Sequence, residues 1–310
     1  MSELTYLQAA TIGVLQGVTE LFPVSSLGHS VLVPALIGGS WAHLVTESAQ
    51  QSSEHSPYLA FIVGLHVATA IALLVFYWRD WVRIITGVLR TLRTRRIQTS
   101  DERLGWLIII ATIPVGITGL ALEHEFRVLF AKPLAAAIFL TINGLILLAG
   151  ERLRRRANVP TAVAAERAGG LAADPAEAER ADAELAQSVT TRDALQIGSS
   201  QILALFAGIS RSGITMVTGL WRGLDHEQSA RFAFLLATPV ILAAGVLKLP
   251  TLAGSAGNGI RGQVLVGSIA AGVAAYLSVR FLTRYFQTRT LTPFAIYCLV
   301  VGIACIARFA

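Results

Sequence analysis

The chain has 310 residues, 54% apolar and only 14% charged, with a mean hydropathy of +0.62 and a net charge of +6. That balance excludes an ordinary soluble domain. The positive charge does not point to nucleic acid, because the arginines cluster beside apolar runs. The N-terminus has no basic leader region, Glu3 being its first charge, so insertion is expected to use the apolar runs themselves.

Leu4–Thr19 is apolar but runs into Glu20 and Pro23. This predicts a helix, a break at Pro23–Gly28 and a second helix to about Ile37, a re-entrant hairpin. Three runs near the 20 or so residues that cross a bilayer core follow: Tyr58–Trp78, Leu104–Leu122 and Pro133–Gly150. None holds Asp, Glu, Lys or Arg. Residues 79–103 carry seven arginines and read as a loop. Glu123, His124 and Glu125 read as a solvated turn rather than a metal cluster. Residues 151–193 carry seven more arginines, beginning with Arg152, Arg154, Arg155 and Arg156. Within them Glu166–Gln187 is rich in Ala, Glu and Arg. It is expected to be a solvated, partly helical or disordered linker that builds no core. A second hairpin is predicted over 194–221, broken at Gly208–Gly213. Three more spans end the chain: Phe232–Leu249, Val264–Leu282 and Leu291–Ala307. Cys298 and Cys305 share the last span, roughly 10 Å apart along its axis, too far to bridge, and read as packing residues.

Arginine-rich loops stay cytoplasmic. Loops 79–103 and 151–193 are therefore expected inside, and both termini outside. One hairpin then enters from outside and the other from inside, each followed by three spans. The expected fold is an all-α polytopic membrane protein with six transmembrane helices plus two re-entrant helical hairpins in an inverted-topology repeat. It forms one integral membrane domain: repeat one 1–150, a cytoplasmic linker 151–193, repeat two 194–310. The register supports the repeat: 210 minus 25, 213 minus 28 and 201 minus 16 all equal 185, pairing Ser with Ser, Gly with Gly and Gln with Gln.

The two breaks carry the chemistry. Gln16 and Glu20 share a helix face, an amide and a carboxylate that either meet one ligand or hold helix to helix. Ser25, Ser26, Gly28 and His29 lie where a loop closes into a helix, a place that caps the helix and binds anions. Ser26 and His29 are candidate nucleophiles or proton carriers. Arg211 lies among Ser210, Ser212, Gly213 and Thr215. A buried guanidinium needs an anion, either phosphate oxygens or Glu20. His66, mid-span, stays undecided between structure and function. No CxxC, HExxH or Walker-type loop occurs, which argues against zinc proteolysis and ATP use.

At these residues the chain resembles the bacterial undecaprenyl-diphosphate phosphatases, the bacitracin-resistance proteins. Gln16-Gly-Val-Thr-Glu20-Leu-Phe-Pro-Val-Ser25-Ser26-Leu-Gly28-His29 is similar to that family's Glu-Gly-x-Thr-Glu-Phe-Leu-Pro-Val-Ser-Ser-x-Gly-His. Gly208-Ile-Ser210-Arg211-Ser212-Gly213-Ile-Thr215 is similar to its Pro-Gly-x-Ser-Arg-Ser-Gly-x-Thr. The likeness runs through Phe61–Trp78 and Phe232–Pro239 and omits the linker. It implies Glu20, Ser26, His29 and Arg211 as catalytic residues, with Gln16, Ser25, Gly28, Ser210, Ser212, Gly213 and Thr215 on the substrate. Gln16, Ala207, Leu27 and His66 depart from the pattern, and Gln16 leaves the charge of the first motif position open.

The resemblance implies an enzyme of the bacterial inner (plasma) membrane, its site open to the outer face. It would remove the terminal phosphate of the C55 isoprenoid diphosphate, recycling the lipid carrier for peptidoglycan. The partners expected are the polyprenyl diphosphate lipid and the membrane, with a homodimer left open. A diphosphate needs positive complement, which Arg211, hairpin N–H groups and a divalent cation (Mg2+ or Ca2+) on Glu20 with Gln16 would supply. Ser26, His29 and water activated by Glu20 all stay open as the attacking group. The rival reading is an inverted-repeat transporter or flippase of a phosphorylated lipid.

Overall fold

A computed structural model describes residues 4–42, 57–130, 132–156, 175–253 and 259–310. Helix α1 (Tyr6–Thr19) opens on a capping box: the Gln8 amide donates to Thr5 Oγ1 at 3.2 Å, and the Thr5 amide to Gln8 Oε1 at 2.9 Å. The chain breaks, then forms α2 (Ser26–Ile37), which stops where Gly38 takes φ +76°. Next come α3 (Pro57–Phe76), α4 (Trp78–Thr94), α5 (Ser100–Phe130) and α6 (Pro133–Arg156). Beyond 174 lie α7 (Pro175–Ser188), α8 (Thr191–Ser200) and a 3-10 turn over Gln201–Leu205. The second half ends with α9 (Arg211–Trp221), α10 (His226–Ala253), α11 (Arg261–Thr288) and α12 (Thr292–Phe309). Among the described residues five helices are long and apolar enough to cross a membrane, and the bent pair α3–α4 makes a sixth crossing if counted as one span. The chain is an all-α polytopic membrane protein.

The halves share a frame that the hydroxyl and glycine register only began to show. Helix α8 opens on its own capping box, Thr190 with Asp193, each 185 residues after Thr5 and Gln8. Helix α1 packs on α11 through Gly13, where a Cβ would overlap the Gly267 carbonyl. Helix α8 packs on α5 through Gly198, 185 residues later, where a Cβ would overlap the Ala111 carbonyl. Each hairpin thus leans on the second long helix of the other half, while α3 meets α10 and α6 meets α12. Exchange of the halves maps this pattern onto itself.

Three expectations change. Residues 79–103 are not simply a loop. Helix α3 turns by 86° into α4, whose Trp78, Val82, Ile85, Leu89 and Leu92 form an exposed apolar stripe. A count of arginines hides a stripe spaced three and four apart. The run Glu123–Glu125 is helical backbone within α5 rather than a turn, and its side chains lie outside the described residues.

The linker also departs from the solvated segment expected. Residues 157–174 lie outside the described residues, but α7 docks. Leu185, Ala186 and Asp182 are fully buried. Asp182 accepts from Arg83 at 2.7 Å and from Arg231 at 2.7 Å, and both arginines also reach Asp80, at 2.8 and 3.2 Å. Low apolar content concealed a helix held by buried charge pairs and one narrow apolar edge.

Candidate active site

The two breaks meet. Ser25 holds φ +71°, a strained conformation for a residue with a side chain. It is pinned by its own Oγ, which caps α2 by accepting from the Gly28 amide at 3.2 Å and also accepts from the Gly208 amide at 3.1 Å. Ser210 repeats the cap on α9, its Oγ accepting from the Gly213 amide at 3.1 Å. Ser210 and Ser212 hydroxyls lie 3.4 and 3.3 Å from the Phe22 carbonyl, to which they donate. Thr215 donates back to the Arg211 carbonyl, as Ser30 does to that of Ser26. Gly28 and Gly213 allow the close approach: a Cβ on Gly28 would stand 3.0 Å from Gly208 Cα, and one on Gly213 would stand 3.2 Å from Pro23 Cβ. Ser25, Gly28, Ser210, Ser212, Gly213 and Thr215 therefore form the frame. The N-termini of α2 and α9 converge on it, bringing two positive dipole ends together.

Asn143 locks the junction. Its Nδ2 donates to the Pro23 carbonyl and its Oδ1 accepts from the Ser210 amide, each at 3.0 Å. It stands near the middle of the span Pro133–Arg154, which places both tips at mid-span depth. Sequence reasoning passed over it because only charged residues were sought inside the spans. A lone amide among apolar residues was the available signal.

Glu20 is the hub. Its Oε1 accepts from Arg211 Nη2 at 3.0 Å. Its Oε2 accepts from Ser26 Oγ at 2.5 Å and from Gln16 Nε2 at 3.0 Å. His66 Nε2 stands 3.5 Å from the same oxygen. Glu20, Ser26 and Gln16 are buried, and the Arg211 side chain is 12% exposed, so it keeps an open edge. Two polar atoms on this hub, Arg211 Nη1 and Gln16 Oε1, have no hydrogen-bond partner among the described residues. A donor and an acceptor left unpaired on one carboxylate's partners are costly unless a ligand engages them.

His29 is close by but otherwise engaged. Its Nδ1–H donates to the Ser25 carbonyl at 2.7 Å, since a carbonyl only accepts. Its Nε2 faces Tyr297 Oη at 2.8 Å, and the two rings stack with centroids 5.7 Å apart. No hydrogen bond joins His29 to Ser26, Glu20 or Arg211 among the described residues. Tyr297 was not singled out in the sequence; nothing in its own helix marks it. No group of three His, Cys, Asp or Glu side chains forms a metal cluster among the described residues.

The chain matches the family described as bacitracin resistance protein BacA over residues 9–304. It is 63% identical to a protein named undecaprenyl-diphosphatase 2 from Frankia alni, covering 100% of this chain and 99% of that one. It is 62% identical to an undecaprenyl-diphosphatase of Mycolicibacterium paratuberculosis, covering 97% and 96%. It is 42% identical to an undecaprenyl-diphosphatase 2 of Chromobacterium violaceum, covering 96% of each. With Glu20, Ser26 and Arg211 joined at one hub inside an all-α membrane frame, and with this likeness along nearly its whole length, the chain belongs to the bacitracin resistance protein BacA family.

Proposed function

We propose that the protein is an undecaprenyl-diphosphate phosphatase, hydrolysing the terminal phosphate of the C55 lipid diphosphate to give undecaprenyl phosphate and inorganic phosphate. Likeness to relatives bearing that name supports the reaction. The observation that carries the mechanism is the Ser26–Glu20 bond. A hydroxyl donating at 2.5 Å to a carboxylate that a guanidinium holds from its other oxygen is a nucleophile beside its base. A lipid flippase needs complement to charge but no such pair, so this second reading is not favoured.

In the reading we adopt, the terminal phosphate lies against Arg211 and the α2 and α9 N-termini. Ser26 Oγ attacks its phosphorus in line, the Ser26 proton passes to Glu20, and the bond to the lipid monophosphate breaks. Glu20 hands that proton to the departing lipid monophosphate, water then attacks the phosphoserine and gives one proton to the freed Glu20, and Glu20 returns it to Ser26 Oγ as phosphate leaves. His29, holding the Ser25 carbonyl, fixes the strained turn that presents Ser26. The donors also fit a divalent cation, because Gln16 Oε1 is a buried, unpartnered acceptor beside a carboxylate. Glu20 and Gln16 would hold such an ion, Mg2+ or Ca2+, which would neutralise charge on the diphosphate.

The protein is a multi-pass membrane protein, and we place it in the bacterial plasma membrane with termini and site toward the outer face, as the arginine census supports. An impermeant reagent on intact cells should then label a cysteine at Ser40 and not one at Gln98; labelling of both would refute the placement, and labelling of Gln98 alone would reverse it. One chain supplies the whole site, so a homodimer is compatible but not required. Purified protein in detergent, where transport has no meaning, should release phosphate from undecaprenyl diphosphate, and Ser26→Ala should not. Release undiminished in Ser26→Ala would refute the mechanism.

A further inference from the structure

Helix α11 turns one apolar stripe outward along its length: Leu265, Ile269, Val273, Leu277 and Phe281 are all more than half exposed. On a helix long and apolar enough to cross a membrane, such a stripe faces acyl chains. Toward Thr288 the stripe runs into a groove of about 430 Å3, whose lining includes Leu277, Phe281, Arg280, Arg284 and Arg289.

These arginines differ from those that hold the fold. Arg83, Arg211, Arg222 and Arg231 each pair with a carboxylate. Among the described residues no carboxylate pairs with Arg280, Arg284 or Arg289. Arg280 and Arg284 stand one turn apart on one face, a like-charge pair that weakens a helix unless an anion lies between them. Arg280 also precedes the helix end at Thr288 by about 12 Å of rise, a depth at which an unpaired guanidinium is costly. Three guanidinium forks at the foot of an apolar stripe fit a ligand with a phosphate at one end and a hydrocarbon chain at the other. The groove is open on its lipid-facing side, with Leu277 58% and Phe281 52% exposed. It encloses little of its ligand and so suits one present at high concentration, as a bilayer's own lipid is.

We propose that this groove is a binding site for an anionic phospholipid of the surrounding membrane. Arg280, Arg284 and Arg289 hold the phosphodiester, and an acyl chain lies along Phe281, Leu277 and Val273. The site adjoins the first hairpin: the Phe281 ring stacks on Phe22 with centroids 5.9 Å apart, and the Phe22 carbonyl takes the Ser210 and Ser212 hydroxyls. A lipid in the groove packs against the ring that backs the hairpin tip, whatever reaction the tip performs.

Native mass spectrometry of the purified full chain in detergent, titrated with phosphatidylglycerol or with phosphatidylcholine of the same acyl chains, is the test. The expected result is one phosphatidylglycerol bound about tenfold or more tightly than phosphatidylcholine. Joint Arg280→Gln, Arg284→Gln and Arg289→Gln should weaken phosphatidylglycerol roughly fivefold per arginine removed. Joint Arg93→Gln, Arg95→Gln and Arg96→Gln, at the end of α4, removes as much charge and should change it less than about twofold. Should the joint groove variant not fold, each single groove variant should show its own loss of roughly fivefold. Equal affinity for the two lipids, equal loss in the two joint variants, or no loss in any single groove variant overturns the site. So does displacement of phosphatidylglycerol by equimolar undecaprenyl phosphate, which would give the groove to the product lipid. Displacement by millimolar inorganic phosphate overturns it too, and would make the groove a site for the free anion.

Discussion

The two hairpins are one design used for two purposes. Capping boxes at Thr5 and Thr190, close-contact glycines at 13 and 198, serine caps at 25 and 210 and hydroxyl back-bonds at 30 and 215 all recur at the same offset of 185. The reactive positions do not recur. Glu20 is matched by Leu205, Ser26 by Arg211 and His29 by Ile214. One tip carries the carboxylate and hydroxyl, the other the guanidinium, and the site exists only where they touch. In the mechanism proposed above, these three positions set a reacting half against a charge-stabilising half within one shared frame.

Breaking the reacting half should cost most. Ser26→Ala should reduce turnover to background, and Glu20→Gln should lower kcat by roughly a hundred- to ten-thousandfold, read as phosphate release in detergent. In the charge-stabilising half, Arg211→Lys should lower kcat roughly a hundred- to a thousandfold, because a point charge cannot hold Glu20 and a phosphate with a planar fork. Near-normal kcat in that variant would mean that Arg211 serves the frame alone.

Effects on the frame should be smaller and appear in thermal stability. Helix α7 lies outside the repeat, and Asp182→Ala would take one shared carboxylate from Arg83 and Arg231 and leave them Asp80, costing about 1.5–3 kcal/mol. Gly13→Ala and Gly198→Ala sharpen the comparison: each pushes a methyl into the facing backbone, and each should cost about 1–3 kcal/mol by overpacking. Closely matched losses support a shared frame. A loss at one site only would show that the halves bear load unequally.

Much of this was legible in the sequence. The breaks at Pro23–Gly28 and Gly208–Gly213 lie where the hairpin tips lie, since proline, glycine and hydroxyls in an apolar run leave few alternatives. Glu20 with Gln16, Ser26 and Arg211 came together as a motif would suggest. What escaped notice depends on the third dimension. Asn143 matters because two loops from distant parts of the chain reach it, and Tyr297 because a ring from α2 stacks on it. Helix α7 escaped because a composition average cannot show that Asp182 would find two arginines. His29 also reads differently in three dimensions. Three residues after Ser26 it shares a helix face, yet both ring nitrogens are taken by Ser25 and Tyr297.

The central claim is that Ser26, activated by Glu20, is the group that attacks. Rapid quenching of wild-type protein with labelled undecaprenyl diphosphate, followed by mapping of the labelled peptide, tests it most directly. The account predicts an acid-stable phosphate on Ser26 that forms and decays within a turnover. An acid-labile, base-stable phosphate on His29 would contradict it, as would a single turnover that leaves no covalent phosphate and places solvent oxygen in the product.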